Sequence, residues 1–263
     1  MDPSNKNSLL EAAISGDIET IIELNKLNED LITQTDDNGL NALLLAAYNG
    51  HKETVVALNT LNKDLIAQTD NTGHNALHHA AFKGHIETVV ALNTLNKDLI
   101  TQTENNGGNA LHNAAQNGHI ETVVALNTLN KDLITQKTNN GRNTLHIAAF
   151  KGHTETVVEL NKLNKDLITQ TDEDGCNALH LAAHKGHKET VVELNTLNKD
   201  LVTQTQNHGL NALLLAAYNG HTETVVELNT LNENLITQTD EDRWNALHLA
   251  AQNGHIETVV ELN

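Results

Sequence analysis

Sixteen histidines in a chain of 263 residues are the first feature that could carry chemistry, because imidazole serves both as a metal ligand and as a general base. Seven follow a glycine: His51, His85, His119, His153, His187, His221 and His255. Five follow a leucine: His78, His112, His146, His180 and His248. Within each series the spacing is 34 residues or a multiple of it. Equivalent residues of stacked helical repeats lie about 10 Å apart, whereas the ligands of one zinc ion lie within about 4 Å of each other. Such a ladder shares no metal, and a structural role for these rings is expected instead. His184 and His187 are three apart, but two ligands across a helix boundary do not make a site. Cys176 follows Gly175 at a turn with no base or orienting group in reach of recognition, and reads as an exposed turn thiol. No nucleophile elbow, phosphate-binding loop or carboxylate pair occurs. The chain is therefore expected to have no catalytic, metal or cofactor residues and to be no enzyme.

The elements that must position these side chains follow from the same period. Gly39, Gly73, Gly107, Gly141, Gly175 and Gly209 recur every 34 residues, and so does a second series from Gly16 to Gly254. In Thr69–Gln102 the stretch TDNTGHN is turn chemistry. Asn75 is placed to cap a short helix whose Leu77, Ala80 and Ala81 share one face. Gly84 ends that helix. HIETVVALNTL starts a second, with Val89, Leu92 and Leu95 as its inward stripe. Asn96 is expected in the left-handed conformation at its end. A return segment of about 14 non-helical residues follows, anchored by Leu99 and Ile100. Asn59, Asn93, Asn127 and Asn161 recur late in the second helix, where Asn is a poor helix former, and a side-chain hydrogen bond to the loop beside them is expected. Two helices this short cannot bury both faces alone and must stack on their copies.

The expected fold is thus an all-α solenoid of helix-turn-helix units with β-turn or hairpin tips, forming one domain over 1–263. It comprises an N-terminal capping unit at 7–34, full repeats at 35–68, 69–102, 103–136, 137–170, 171–204 and 205–238, and an incomplete last repeat at 239–263. That last repeat has no polar closing helix, so the chain reads either as a fragment or as an array whose end frays. A net charge of -18 argues against nucleic acid and anionic membranes as partners. A single cysteine fits a reducing compartment, and no apolar run approaches a membrane span. A cytoplasmic monomer is expected.

DEDGCNALHLAAHKGHKETVVELN, residues 172–195, resembles the ankyrin-repeat pattern D-x-x-G-x-T-P-L-H-x-A-A-x-x-G-H. Asn-Ala replaces Thr-Pro in most repeats, and Asn143-Thr144 in one. The resemblance implies a helical stack that binds protein partners on its concave side, where the turn tips and the near face of the first helix lie.

Columns that vary between repeats are the candidate partner-binding residues. After the turn glycine or its replacement come Leu40, His74, Arg142 and Trp244; two before the helix-ending glycine come Tyr48, Phe82, Phe150, His184 and Tyr218; beside these stand Lys83, Lys151 and Lys185. All five aromatic residues fall in the first two columns, and aromatics on a stiff surface are common interface anchors. The expected function is a non-catalytic scaffold for protein–protein interaction, with an acidic surface that favours a basic partner. Two alternatives stand beside it. One is the targeting arm of a larger enzyme or of a secreted bacterial effector acting in a host cytoplasm, whose wording the Asn-, Thr- and Ile-rich repeats resemble. The other is an engineered array without a natural ligand. At Arg243 the turn glycine is missing, and a retained turn would hold a non-glycine residue at positive φ at a cost of about 1–2 kcal/mol.

Overall fold

A computed structural model describes residues 3–263, with side chains from Lys6 onward. The chain divides into two compact units, up to Thr138 and from Asn139. The first contains α1 (Pro3–Ser15), α2 (Ile18–Leu27), α3 (Ala42–Tyr48), α4 (Lys52–Leu61), α5 (Ala76–Phe82), α6 (Ile86–Leu95), α7 (Ala110–Gln116) and α8 (Ile120–Leu129). The second contains α9 (Thr144–Lys151), α10 (Thr154–Leu163), α11 (Ala178–His184), α12 (Lys188–Leu197), α13 (Ala212–Tyr218), α14 (Thr222–Leu231), α15 (Ala246–Gln252) and α16 (Ile256–Glu261). Within each unit the odd-numbered helices pack on one another and the even-numbered ones form a second row. Both are all-α repeat stacks. No helix among the described residues is long and apolar enough to cross a membrane.

The first helix of each repeat begins where Asn places it. Asn75 accepts the His78 backbone N–H through its side chain at 3.0 Å. Its amide also donates to the Leu99 carbonyl at 3.1 Å and to Gln102 Oε1 at 2.9 Å, tying the helix start to the return segment. The histidine three residues into the helix completes a capping box, its Nδ1 accepting the Asn75 N–H at 3.2 Å. This box recurs at Asn109, Asn143, Asn177 and Asn245. Leu44 and Leu214 replace the histidine in α3 and α13. Those two repeats are the ones in which an isolated antiparallel bridge joins Thr35 to Asn41 and Thr205 to Asn211. A residue change inside the helix thus coincides with a change of backbone pairing at its mouth.

Leu77, Ala80 and Ala81 are buried as expected, but so are Ala76, His78 and His79, so α5 is enclosed on nearly every side. Small side chains permit that. On α6 the inward residues are Thr88, Val89 and Leu92. Leu95 is 37% exposed, contrary to expectation. A ten-residue helix spans about 15 Å and its seven-residue partner about 10 Å, so the last turn overhangs.

Asn96 is also corrected. It is extended, at φ -148° and ψ 106°, rather than left-handed, and its side chain accepts the Asp98 N–H to start a 3-10 helix over Lys97–Thr101. The return is therefore partly helical, with Leu99 and Ile100 buried inside it. The expected hydrogen bonds of Asn59, Asn93, Asn127 and Asn161 do not form, and the Oδ1 atoms of the equivalent Asn25 and Asn229 are buried without partners.

In α1, Asn7 lies inside the helix rather than at its start. Asp17 then caps α2, accepting the Thr20 N–H at 3.0 Å, whereas the histidines at that offset in later repeats make no side-chain cap bond.

Candidate partner-binding site

The turn that presents the first variable column is held by its leading acidic residue. Asp70 Oδ1 accepts the N–H groups of Thr72 and His74 at 2.8 and 2.9 Å. The Gly73 N–H donates to the Asp70 carbonyl and the Asp70 N–H to that of His74, closing a tight hairpin-like tip. Asp36, Asp172 and Asp240 do the same for Leu40, Cys176 and Trp244. Successive tips are stitched together: the Asn71 N–H donates to the Asn38 carbonyl at 3.0 Å, and that of Asn207 to Asp174 at 3.0 Å. The Arg243 turn is retained, with φ 64° on a non-glycine residue.

The second column is positioned by the histidines that follow glycine. His85 Nε2 lies 3.1 Å from the Tyr48 carbonyl oxygen and His119 Nε2 3.0 Å from that of Phe82. In the second unit His187 reaches Phe150, His221 reaches His184, and His255 reaches Tyr218, at 3.1, 3.0 and 2.9 Å. A carbonyl can only accept, so each of these Nε2 atoms carries the proton. Burial pushes the His85 and His187 rings below the usual imidazole range. These histidines thereby fix the backbone from which the second-column residues project.

The structure brings several candidates into contact. In the first unit the Tyr48 and Phe82 rings stack with centroids 6.4 Å apart, and the Lys83 ammonium stands 4.5 Å above Tyr48. In the second, Phe150 and His184 stack at 6.4 Å, with Lys185 at 4.7 Å and the Arg142 guanidinium at 5.1 Å from the Phe150 ring. Such cation–ring contacts contribute about 0.5–1 kcal/mol at exposed sites. Tyr48, Phe82, Phe150 and His184 are half-buried; Lys83, Lys151 and Lys185 are exposed. Tyr218 is 46% exposed, and Trp244, 37% exposed, tilts against His248 at 5.9 Å.

Others are occupied internally. Leu40 is half-buried. Arg142 Nε donates to the buried Asp172 at 3.1 Å. His74 lies 2.7 Å from Glu104 through Nε2 and within 2.7 Å of the Thr72 hydroxyl through Nδ1. His79 approaches Asp70 at 3.1 Å and meets the Tyr48 ring edge-on. Burial would lower the His74 ring, but the carboxylates of Glu104 and Asp70 outweigh it and raise its pKa. For His79 burial prevails and the pKa falls. Sequence reasoning missed this cluster, whose signal is an acidic residue at the turn start with histidines four and nine residues on. Cys176 is half-buried rather than exposed, and burial, with Asp172 and Asp174 beside it, pushes its thiol up to about 12. It is no thiolate at neutral pH. Among the described residues no group of three or more His, Cys, Asp or Glu side chains is arranged to hold a metal ion.

The family model for ankyrin repeats (3 copies) matches the chain over 9–102, 92–171, 111–205, 152–235 and 190–262. The chain belongs to the ankyrin-repeat family. No curated protein matches it. Ankyrin repeats generally mediate protein–protein interaction and are typically non-catalytic.

Proposed function

We propose that this chain is a non-catalytic scaffold that docks a partner protein on the ring-bearing ends of its first helices. Tyr48, Phe82 and Lys83 form the contact in the first unit, with Leu40 and His74 shaping the tips beside it. Phe150, Lys151, His184, Lys185, Tyr218 and Trp244 form it in the second, with Arg142 set by Asp172. The observation that carries this reading is the placement of every aromatic ring at the half-open or open edge of a stack whose core is otherwise Leu, Val, Ile and Ala. Histidines hold the backbone carbonyls of Tyr48, Phe82, Phe150 and Tyr218, and Asp240 holds the Trp244 N–H, so little conformational entropy remains to be lost on docking. A chain with net charge -18 also draws basic proteins into encounter at long range.

The test is affinity capture with the intact chain and with Phe82→Ala/Phe150→Ala, the latter first matched to wild type in far-UV circular dichroism. Proteins held by wild type and released by the double variant are the expected result. Captured proteins indifferent to both rings would sink the proposal.

A further inference from the structure

We propose that the ring-and-lysine site in each unit takes a carboxylate-bearing segment of the partner, although the chain as a whole is strongly acidic. The inference rests on the docking role proposed above and narrows the chemistry of its occupant. Acidic residues are absent from α3, α5, α7, α9, α11, α13 and α15, and the charged residues at the ends of this row are Lys83, Lys151 and Lys185. The negative charge is concentrated in the turn tips, the second helices and the 3-10 returns. The ends of α5, α9 and α11 therefore carry a sign opposite to that of the whole molecule.

Two lysines of the second helices are already matched. Lys52 pairs with Glu53 and Glu87 at 3.6 and 3.4 Å, and Lys188 with Glu223 at 3.3 Å. Among the described residues Lys83 and Lys185 have no carboxylate at ion-pair distance, and each stands over an aromatic face instead. A ring offers an ammonium only one side and leaves its remaining N–H groups for an incoming acceptor. The side chain is also held in place before the partner arrives, which lowers the ordering cost that usually cancels an exposed ion pair. The ring beneath accepts an apolar neighbour of the carboxylate. Exposed acids at the tips, Asp37 in the first unit and Glu173 and Asp174 in the second, sit at the far end of the first helix, about 10 Å away. They set the direction: the acidic part of the segment lies toward the lysines.

Selection from a random-peptide phage library against wild type, with counter-binding to Phe82→Ala/Phe150→Ala, Lys83→Gln and Lys185→Gln, separates the two proposals. The expected clones need the rings, are rich in Asp and Glu next to apolar residues, weaken as salt rises, and lose about three- to fivefold in affinity when the lysine of the site they occupy is removed. Ring-dependent clones rich in Lys or Arg, or acidic clones unmoved by both lysine substitutions, would leave the docking site standing and overturn its preference for carboxylates. Clones indifferent to the rings, or none at all, would overturn the docking site and the preference with it.

Discussion

His180 Nε2 lies 2.9 Å from the Gln204 carbonyl oxygen while its Nδ1 accepts the Asn177 N–H at 3.1 Å. One ring thus closes a helix cap on one side and binds the return segment on the other. Only the neutral tautomer with the proton on Nε2 does both, since a second proton would face the Asn177 N–H. Burial accordingly lowers the His180 pKa from 6.5 to about 4.

The sign of the pH effect follows. A folded-state pKa below the unfolded one means that the unfolded chain binds the proton first. The stabilisation is present above pH 6.5 and is lost as pH falls toward 4, on the order of 3 kcal/mol in all. His180→Leu supplies the comparison, because Leu44 and Leu214 fill the same offset and are buried. In urea titrations the gap between wild type and variant should narrow by about that amount between pH 7 and pH 4. Parallel pH profiles would show that the ring is not held neutral.

Gly186 has φ 73°, and a Cβ placed on it would meet His221 Nδ1 at 2.6 Å. Gly186→Ala should therefore cost more than left-handed strain alone, because the ring that binds the His184 carbonyl must move. A loss of about 2–4 kcal/mol in denaturant melts is expected. A loss under 1 kcal/mol would mean that the His221 ring gives way freely.

The opposite change is available at Arg243, the one described non-glycine residue at positive φ. Arg243→Gly keeps the turn and removes the strain, and should raise stability by about 1 kcal/mol. Unchanged or lowered melting would show that the turn already relaxes at no cost.

Much of this was legible from the period alone, because a repeat read eight times separates what the fold needs from what it tolerates. The capping role of Asn75, the ends set by Gly84 and the anchors Leu99 and Ile100 all rest on local chemistry within a few residues. What failed depended on length or on what the chain does next. Leu95 lies on the inward side of its helix, yet it overhangs because the paired helix is shorter. Asn96 sits where a helix ends, but a new 3-10 helix begins there, so its side chain caps forward instead of closing backward. The ring columns were visible as positions. The contacts of Lys83 and Lys185 with the rings, and the Asp70–His79 and His74–Glu104 pairs, were not, since they join side chains from different turns and helices.

The recurring asparagines now separate into two kinds that melting can distinguish. Asn109 accepts the N–H groups of Leu111 and His112 and donates to the Leu133 carbonyl at 3.0 Å. The Asn127 side chain, inside α8, makes no such bond. Asn109→Ala should cost about 2 kcal/mol or more, since it removes a cap and strands buried groups. Asn127→Ala should lie within about 0.5 kcal/mol of wild type, as Ala is the better helix former. Equal losses at the two positions would contradict the bonding described here.

A last pair tests where the inward stripe of α6 stops. Leu92 is wholly buried and Leu95 is not, although both lie three residues apart on one helix and share a residue type. Leu92→Ala removes buried methyl groups from a packed stack and should cost about 2–5 kcal/mol. Leu95→Ala removes a side chain that water already reaches, and should cost under about 1 kcal/mol. The measurement is the urea midpoint of each variant at constant m-value. If the overhanging turn of α6 in fact closed onto a neighbour, the two costs would converge, and the explanation from unequal helix lengths would fail with them.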